Sequence, residues 1–65
     1  MLANRISEYM KCNGIKQAWL ARELDVPVTT FNGIMNGRSA LKADMFVQIC
    51  NILKVPPETF LEKGG

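Results

Sequence analysis

Residues 17–36 read QAWLARELDVPVTTFNGIMN and contain two short helical patterns separated by a proline. In each pattern, two large apolar residues are three or four positions apart and therefore lie on one face of a helix. The pairs are Leu20 with Leu24 and Phe31 with Ile34. Pro27 has no amide hydrogen and pushes Val26 towards extended backbone, so the first helix must end before it. The segment predicts two helices joined by a tight corner, with the small Ala21 where their axes come closest.

The outer face of the second predicted helix has little to bury. Its residues are nearly all small or polar: Val28, Thr29, Asn32, Gly33 and Asn36. Two short helices that meet across a tight corner form a helix-turn-helix motif. We expect a polar partner to dock on this face.

Length and composition indicate one small domain. A chain of about 60 residues buries only about 60% of its unfolded surface, so this one needs an efficient core or a partner. Its hydrophobic content of 48% argues against disorder. No apolar run approaches the roughly 20 residues that span a bilayer, and the first ten residues do not resemble a signal peptide. We therefore expect a cytoplasmic protein with no membrane segment.

The charge of the chain is mild but unevenly distributed. The net charge of +2 alone barely favours nucleic acid over other partners. The basic residues before or around the motif are Lys11, Lys16, Arg22, Arg38 and Lys42, whereas Glu58 and Glu62 lie near the end. This distribution predicts a basic side and a less basic C-terminal side.

The sequence offers little for catalysis or metal binding. Cys12 and Cys50 are far apart and are accompanied by no histidine or further cysteine. We expect Cys50 to be an ordinary buried small residue, and a disulfide is disfavoured in a reducing cytosol. No phosphate-cradling glycine loop, nucleophile–base pair or close carboxylate pair is present. We predict a protein that is not an enzyme and has no cofactor.

The whole chain predicts an all-α domain over residues 1–62, followed by a short tail at 63–65. Gly14 and Gly37 suit the left-handed position after a helix, and Lys16 is a poor N-cap because it has no acceptor oxygen. Asp25 should be left-handed at the corner. The predicted helices are Leu2–Cys12, Gln17 to about Leu24, about Val28 to Met35, roughly Lys42 to Leu53, and a short fifth helix from Pro57 to Leu61.

The sequence resembles the Cro/CI (XRE-type) family of bacterial and phage helix-turn-helix regulators along essentially its whole length. The matching residues are Gln17-Ala18, Leu20-Ala21, Leu24, Val26, Phe31, Ile34, Asn36-Gly37-Arg38, Ile49, Leu53-Lys54-Val55 and Phe60-Leu61. A closer similarity is to HigA-type antitoxins, which bind their own promoter and a toxin. It involves Val26-Pro27, Asn32, Ile34, Asn36-Gly37-Arg38, Ala40 and Ala43-Asp44.

The resemblance implies a five-helix, lambda-repressor-like domain that reads palindromic double-stranded DNA operators as a homodimer, with helix 3 in the major groove. The candidate base-facing residues are Val28, Thr29, Asn32 and Gly33. The candidate phosphate contacts are Gln17, Thr30, Asn36, Arg38 and Lys42. For the polar residues the alternative is plain solvation, and Val28 either meets a thymine methyl group or only covers the helix start.

The chain departs from the family pattern in ways that concern both the corner and the reading face. Asp25 replaces the usual corner glycine, Pro27 replaces a Ser/Thr cap, and the reader positions 28 and 33 are Val28 and Gly33. Met10 and Met35 occupy positions where some phage repressors pair an arginine with a glutamate. We expect these two methionines to touch through apolar packing.

Two surfaces outside the motif are candidates for protein contacts. Exposed apolar residues near the C-terminus predict a dimer interface formed by Ile52, Thr59 and Phe60, although Phe60 is also a candidate core residue. Trp19 points away from the core pair by helix phase, so it lies either on neighbouring side chains or against a partner. We predict a transcriptional regulator, a repressor or autoregulator, with an antitoxin that mainly binds a toxin as the alternative.

Overall fold

The computed structural model describes residues 2–61, which form four α-helices and one 3-10 turn. In chain order these are α1 (Leu2–Cys12), α2 (Gln17–Glu23), α3 (Val28–Met35), α4 (Ala43–Leu53) and the 3-10 turn Pro57–Thr59. No strand occurs in this part of the chain. The all-α class is confirmed, and α1 and α3 begin and end at the predicted residues. The predicted tail at 63–65 lies outside the described residues.

The expected fifth α-helix is instead the single 3-10 turn, so the prediction of five α-helices is wrong. Pro57 occupies the first turn as predicted. However, Thr59 N donates to Pro56 O and Phe60 N donates to Pro57 O, each at 3.0 Å. These bonds span three residues rather than four, which is the tighter 3-10 pattern. Phe60 follows the turn as its C-cap, and its ring is buried in the core.

The core draws on all four α-helices and on Phe60, which follows the 3-10 turn. Its buried residues are Ile6, Met10, Leu20, Ala21, Leu24, Phe31, Ile34, Met35, Ile49, Cys50 and Phe60. The two apolar pairs of residues 17–36 all belong to this set, as the helical spacing predicted. Burial of each large apolar side chain stabilises the fold by roughly 1.5–3 kcal/mol.

The methionines at positions 10 and 35 are both buried, with Met10 2% and Met35 3% exposed. They belong to the same core and stand on α1 and α3. Apolar side chains therefore occupy both positions where an ion pair stands in some phage repressors. A direct contact between them remains a prediction.

All four α-helices end in the same backbone motif. At the end of α2, Val26 N donates to Ala21 O at 3.0 Å and Asp25 N donates to Arg22 O at 3.0 Å. This pair of bonds is the Schellman arrangement, which requires a left-handed residue at its second-last position. Asp25 supplies it with φ of 61°, as predicted. The corresponding residues after α1, α3 and α4 are Gly14, Gly37 and Lys54.

The N-termini of α2, α3 and α4 have no side-chain cap. Lys16 is the N-cap of α2 and makes no side-chain hydrogen bond, as predicted. Pro27 precedes α3 and also provides no cap. Lys42 is the N-cap of α4 rather than its first residue. No helix among residues 2–61 is both long and apolar enough to cross a bilayer.

Candidate nucleic-acid interface

The helix-turn-helix motif consists of α2, the corner at Asp25 and Val26, and α3. The buried faces of the two helices meet in the core, so the opposite face of α3 is left to solvent. Its exposed residues are Val28, Thr29, Thr30, Asn32 and Asn36. The structure thus brings three of the four candidate base-facing residues, and two of the candidate phosphate contacts, onto one surface.

Gly33 does not reach that surface, so the expectation that it faces outward is wrong. It is buried, and its carbonyl oxygen accepts from Arg38 N at 2.8 Å and from Ser39 N at 3.3 Å. A methyl group at this position would lie 3.9 Å from Ser39 Oγ, an ordinary contact distance. Gly37 has φ of 82°, and this left-handed turn folds the following loop back over Gly33.

Three amide side chains on this surface form a hydrogen-bonded chain. Asn36 Nδ2 donates to Asn32 Oδ1 at 2.9 Å, and Asn32 Nδ2 donates to Gln17 Oε1 at 3.1 Å. Gln17 is half-buried at the start of α2, whereas Asn32 is exposed on α3 and Asn36 is exposed at its C-cap. This series of hydrogen bonds joins Asn32, a candidate base-facing residue, to Gln17 and Asn36, which are candidate phosphate contacts. Sequence reasoning missed this link, although residues 32 and 36 are four apart on one helix, which was the available signal.

The remaining phosphate candidates lie at the edges of this surface. Arg38 and Lys42 are exposed in the segment between α3 and α4. Arg38 lines a shallow depression together with Gly37 and the first residues of α1. Sequence reasoning did not predict that the start of α1 lies beside this loop.

Comparison with known families supports this geometry. A family model described as a helix-turn-helix domain matches residues 2–62. The chain belongs to the helix-turn-helix domain family. No curated protein and no solved structure gives a match. The family is a DNA-binding rather than a catalytic one, so DNA is the class of partner it indicates.

The predicted dimer residues of this helix-turn-helix domain do not all lie on its surface. Phe60 is only 1% exposed, and its ring packs edge-on against Tyr9 at 5.4 Å and Phe46 at 6.2 Å between ring centroids. Of the two interpretations of Phe60, the core residue is confirmed and the exposed dimer residue is wrong, because the ring packs between Tyr9 of α1 and Phe46 of α4. Ile52 is half-buried and Thr59 is exposed.

Three large apolar side chains outside α3 are also exposed. Trp19 is 42% exposed and lines a small depression with Gly14, Ile15 and Lys16. Val47 on α4 is 51% exposed, and Leu61 is 46% exposed. The apolar periodicity of α4 did not identify Val47, because Val47 lies between the positions that face the core.

The two cysteines of the domain have different environments. Cys12 is exposed at the end of α1, and Cys50 is buried in α4 as predicted. Burial raises the pKa of the Cys50 thiol, because the thiolate would lose its hydration. Within residues 2–61, no group of three or more His, Cys, Asp or Glu side chains is arranged to hold a metal ion.

Proposed function

We propose that this helix-turn-helix domain is a sequence-specific, double-stranded DNA-binding transcriptional regulator of the Cro/CI type. The observation that supports the proposal is the polar outer face of α3, which is exposed along the length of the helix. In this docking α3 enters the major groove, which is wide enough to admit an α-helix. α2 then crosses the phosphate backbone.

Base recognition is assigned to Val28, Thr29 and Asn32. An asparagine amide matches the N6 and N7 atoms of adenine with two hydrogen bonds, and a threonine hydroxyl can donate or accept. The methyl groups of Val28, which is 46% exposed, are suited to a thymine methyl group. Because Gly33 is buried, only these three residues are assigned to base contacts. We therefore expect DNA shape to contribute an unusual share of the specificity.

Phosphate binding is assigned to residues that surround the reading face. These are Gln17, Thr30, Asn36, Arg38 and Lys42. Arg38 presents a planar guanidinium that can bond two phosphate oxygens at once, and Lys42 presents a point charge. Such contacts orient the domain on the duplex without distinguishing one sequence from another.

The domain acts as a homodimer on a palindromic operator, as a repressor or autoregulator. One reading helix covers only a few base pairs, whereas a two-fold dimer reaches half-sites about 34 Å apart. The protomer measures 34 × 23 × 21 Å, so two copies side by side can span that distance. Ile52 and Thr59 remain the candidate interface residues.

A second candidate function is that of an antitoxin whose main partner is a toxin protein. The exposed Trp19 supports it, because an exposed tryptophan is characteristic of protein interfaces. Trp19 is on α2 and lies beside Gly14, Ile15 and Lys16. Co-expression with the product of any adjacent small reading frame tests the alternative directly.

Selection of bound sequences from a random DNA pool tests the main proposal. We expect an inverted repeat whose half-sites are one helical turn apart, with an adenine preference at one position of each half. The variant Asn32→Ala should relax that position alone. Recovery of a pool with no enriched sequence would contradict sequence-specific recognition.

A further inference from the structure

Three asparagines of the domain are followed directly by glycine, and this dipeptide is prone to spontaneous deamidation. The pairs are Asn13-Gly14, Asn32-Gly33 and Asn36-Gly37. Deamidation begins when the backbone nitrogen of the following residue attacks the side-chain carbonyl carbon of asparagine. Glycine favours this step because it has no side chain to crowd the attacking nitrogen and because its backbone is the least restricted. Since the three dipeptides are identical, differences between their rates in the folded chain must arise mainly from structure.

At Asn36 the reaction exchanges ammonia for water in two steps. First, Gly37 N bonds to Cγ of Asn36 and gives its proton to solvent. The bond from Cγ to Nδ2 breaks, and Nδ2 takes up a proton and leaves as ammonia. Water then opens the cyclic imide at either of its two carbonyl carbons. Cleavage between Gly37 N and Cγ gives aspartate, whereas cleavage between Gly37 N and the backbone carbonyl carbon gives isoaspartate, whose main chain contains an added methylene.

The folded backbone holds the reacting atoms of Asn36 and Gly37 apart. Asn36 has φ of -91° and ψ of 2°, so Gly37 N eclipses the backbone nitrogen of Asn36 rather than its Cβ. Gly37 N also donates to Ile34 O at 3.2 Å. The ring can close only when ψ rotates, and that rotation breaks the hydrogen bonds that end α3. The rate of deamidation therefore depends on how easily this helix end opens.

The end of α3 differs from the other three helix ends in the residue that follows the left-handed position. After α1, α2 and α4 this residue is apolar, half-buried and packed against the core: it is Ile15, Val26 or Val55. After α3 it is Arg38, which is exposed, as are all of residues 37–40. A hydrophobic contact at this position commonly accompanies the motif. Because α3 has an exposed arginine there, we expect its end to open most readily.

The Asn13-Gly14 pair at the end of α1 is held by its neighbours. Gly14 N donates to Lys11 O at 3.4 Å, a longer bond than the one at Gly37 N. However, the next residue, Ile15, packs against the core and resists the rotation of the backbone. Asn13 Nδ2 also donates to Tyr9 O at 2.8 Å, which fixes the side chain. We therefore expect Asn13 to react more slowly than Asn36.

The Asn32-Gly33 pair lies inside α3, which runs from Val28 to Met35. The N–H group of a residue within an α-helix donates to the carbonyl oxygen four residues earlier. Gly33 is also buried. Ring closure here requires α3 to unwind where it packs in the core, so we expect Asn32 to react most slowly.

We propose that Asn36-Gly37 is a deamidation site of the folded domain, and that the carboxylate formed there lowers its affinity for DNA. Asn36 is exposed on the surface assigned to DNA, and its Nδ2 group donates to Asn32 Oδ1 at 2.9 Å. A carboxylate at position 36 has no donor for that bond and repels phosphate. The effect on DNA binding rests on the proposed function, whereas the reaction itself does not.

Peptide mapping by mass spectrometry tests the site without DNA. The purified full chain is incubated at neutral pH in buffer and in urea, and the exchange of ammonia for water is followed at each asparagine. In buffer we expect Asn36 to react about 5-fold faster than Asn13, the factor that corresponds to half-burial of one isoleucine side chain. Asn32 should be slowest, and in urea the three rates should converge. If Asn36 does not react first in the folded chain, the proposal is overturned.

The variant Arg38→Ile tests why the end of α3 opens. Arg38 lines a depression with Ile34 and Leu41, so an isoleucine there would have apolar neighbours like those at the other helix ends. We expect it to slow deamidation of Asn36 by about 5-fold. Lys42→Ile is the matched control, because it removes the same charge from the same exposed segment but lies outside the hydrogen bonds that end α3. Thermal melts verify that both variants are folded, and an unchanged rate in Arg38→Ile would overturn this explanation.

The second readout is the DNA affinity of the deamidated chains. These chains are more acidic than intact chains, so ion exchange separates the two. We expect the fraction modified at position 36 to bind the selected operator about 10-fold more weakly, the order of loss for one charge-assisted hydrogen bond. Asn36→Gln is the control, because it keeps a side-chain amide but must form a larger ring. Its affinity should not fall during the same incubation.

The outcomes separate this proposal from the proposed function. If the chain selects no DNA sequence, the proposed function fails, and the peptide map alone still decides whether Asn36-Gly37 is a deamidation site. If the chain selects an operator but intact and modified fractions bind it equally, the effect of the carboxylate on DNA binding is overturned while sequence-specific binding stands.

Discussion

At the scale of single residues, the helix ends place two ordinary side chains in left-handed backbone. Asp25 has φ of 61° and Lys54 has φ of 59°, whereas Gly14 and Gly37 occupy the equivalent positions after the other helices. The left-handed region costs most residues roughly 1–2 kcal/mol, and aspartate somewhat less. Replacement by glycine would remove this backbone strain. Part of that gain is offset because glycine gives the unfolded chain more conformational entropy.

Asp25→Gly should therefore be neutral or stabilise the domain by up to about 1 kcal/mol. Urea unfolding measures the change, with Asp25→Ala as the control that removes the carboxylate but keeps the strain. A large loss of stability in both variants would show that the carboxylate makes a stabilising contact.

Arg38 is the residue that tests phosphate binding. Arg38→Ala should weaken binding to operator and random DNA alike and reduce the salt dependence of the affinity by about 0.9 log units for each phosphate that the arginine neutralises. Binding isotherms at several salt concentrations measure both effects, and Asn32→Ala is the control that should reduce operator affinity by roughly 1–3 kcal/mol and random-DNA affinity much less. A change of base preference in Arg38→Ala would contradict the assignment.

The buried thiol of Cys50 predicts a pH dependence of stability. Its pKa is raised in the folded state, so above the ordinary cysteine pKa of about 8.5 the unfolded chain loses the proton first. Stability from this group is therefore constant below that pH and falls as pH rises above it. Unfolding free energies at pH 7 and pH 10 should differ less in Cys50→Ala than in the wild type.

At the scale of elements, the 3-10 turn is attached to the bundle mainly through one ring. Phe60 packs against Tyr9 of α1 and Phe46 of α4. Phe60→Ala should destabilise the domain by about 3–5 kcal/mol, since it removes a fully buried aromatic side chain. Leu61→Ala, which changes an exposed neighbour, should cost much less in the same thermal melts. Equal losses would mean that the ring contacts contribute little.

The elements also show which features could be predicted from sequence. Pro27, Gly14 and Gly37 act on the backbone next to them, so the ends of α1 and α3 and the corner followed from local chemistry. The burial of Phe60 and Gly33 depends on segments that fold back from elsewhere in the chain. Hydrophobic periodicity describes only the faces of single helices. The 3-10 turn at Pro57–Thr59 and the loss of Gly33 from the base-facing surface therefore could not be predicted from it. The amide chain was missed because Gln17 and Asn32 belong to different helices.

At the scale of the whole molecule, the proposed function calls for two copies of the domain, because one reading helix covers only a few base pairs. We expect Ile52→Glu to weaken cooperative binding to a full operator more than binding to an isolated half-site, since a charge would enter the proposed interface. Because Ile52 also packs against the core, thermal melts of the variant measure the accompanying loss of stability. Gln48→Glu, an exposed change on the same helix, is the control. Sedimentation with and without operator DNA measures the stoichiometry, and one protomer per full operator would refute the dimer.

The inner face of α3 packs in the core, where Phe31 and Ile34 are buried. Its outer face, with Thr29 and Asn32, is exposed to solvent. Thr29 is exposed, so we expect its replacement to leave the core undisturbed. Asn32 is bonded to Gln17 and Asn36, and a replacement there would leave both partners mismatched. In descendants of this sequence we expect those three positions to change together or not at all, so that operator preference evolves in steps rather than gradually.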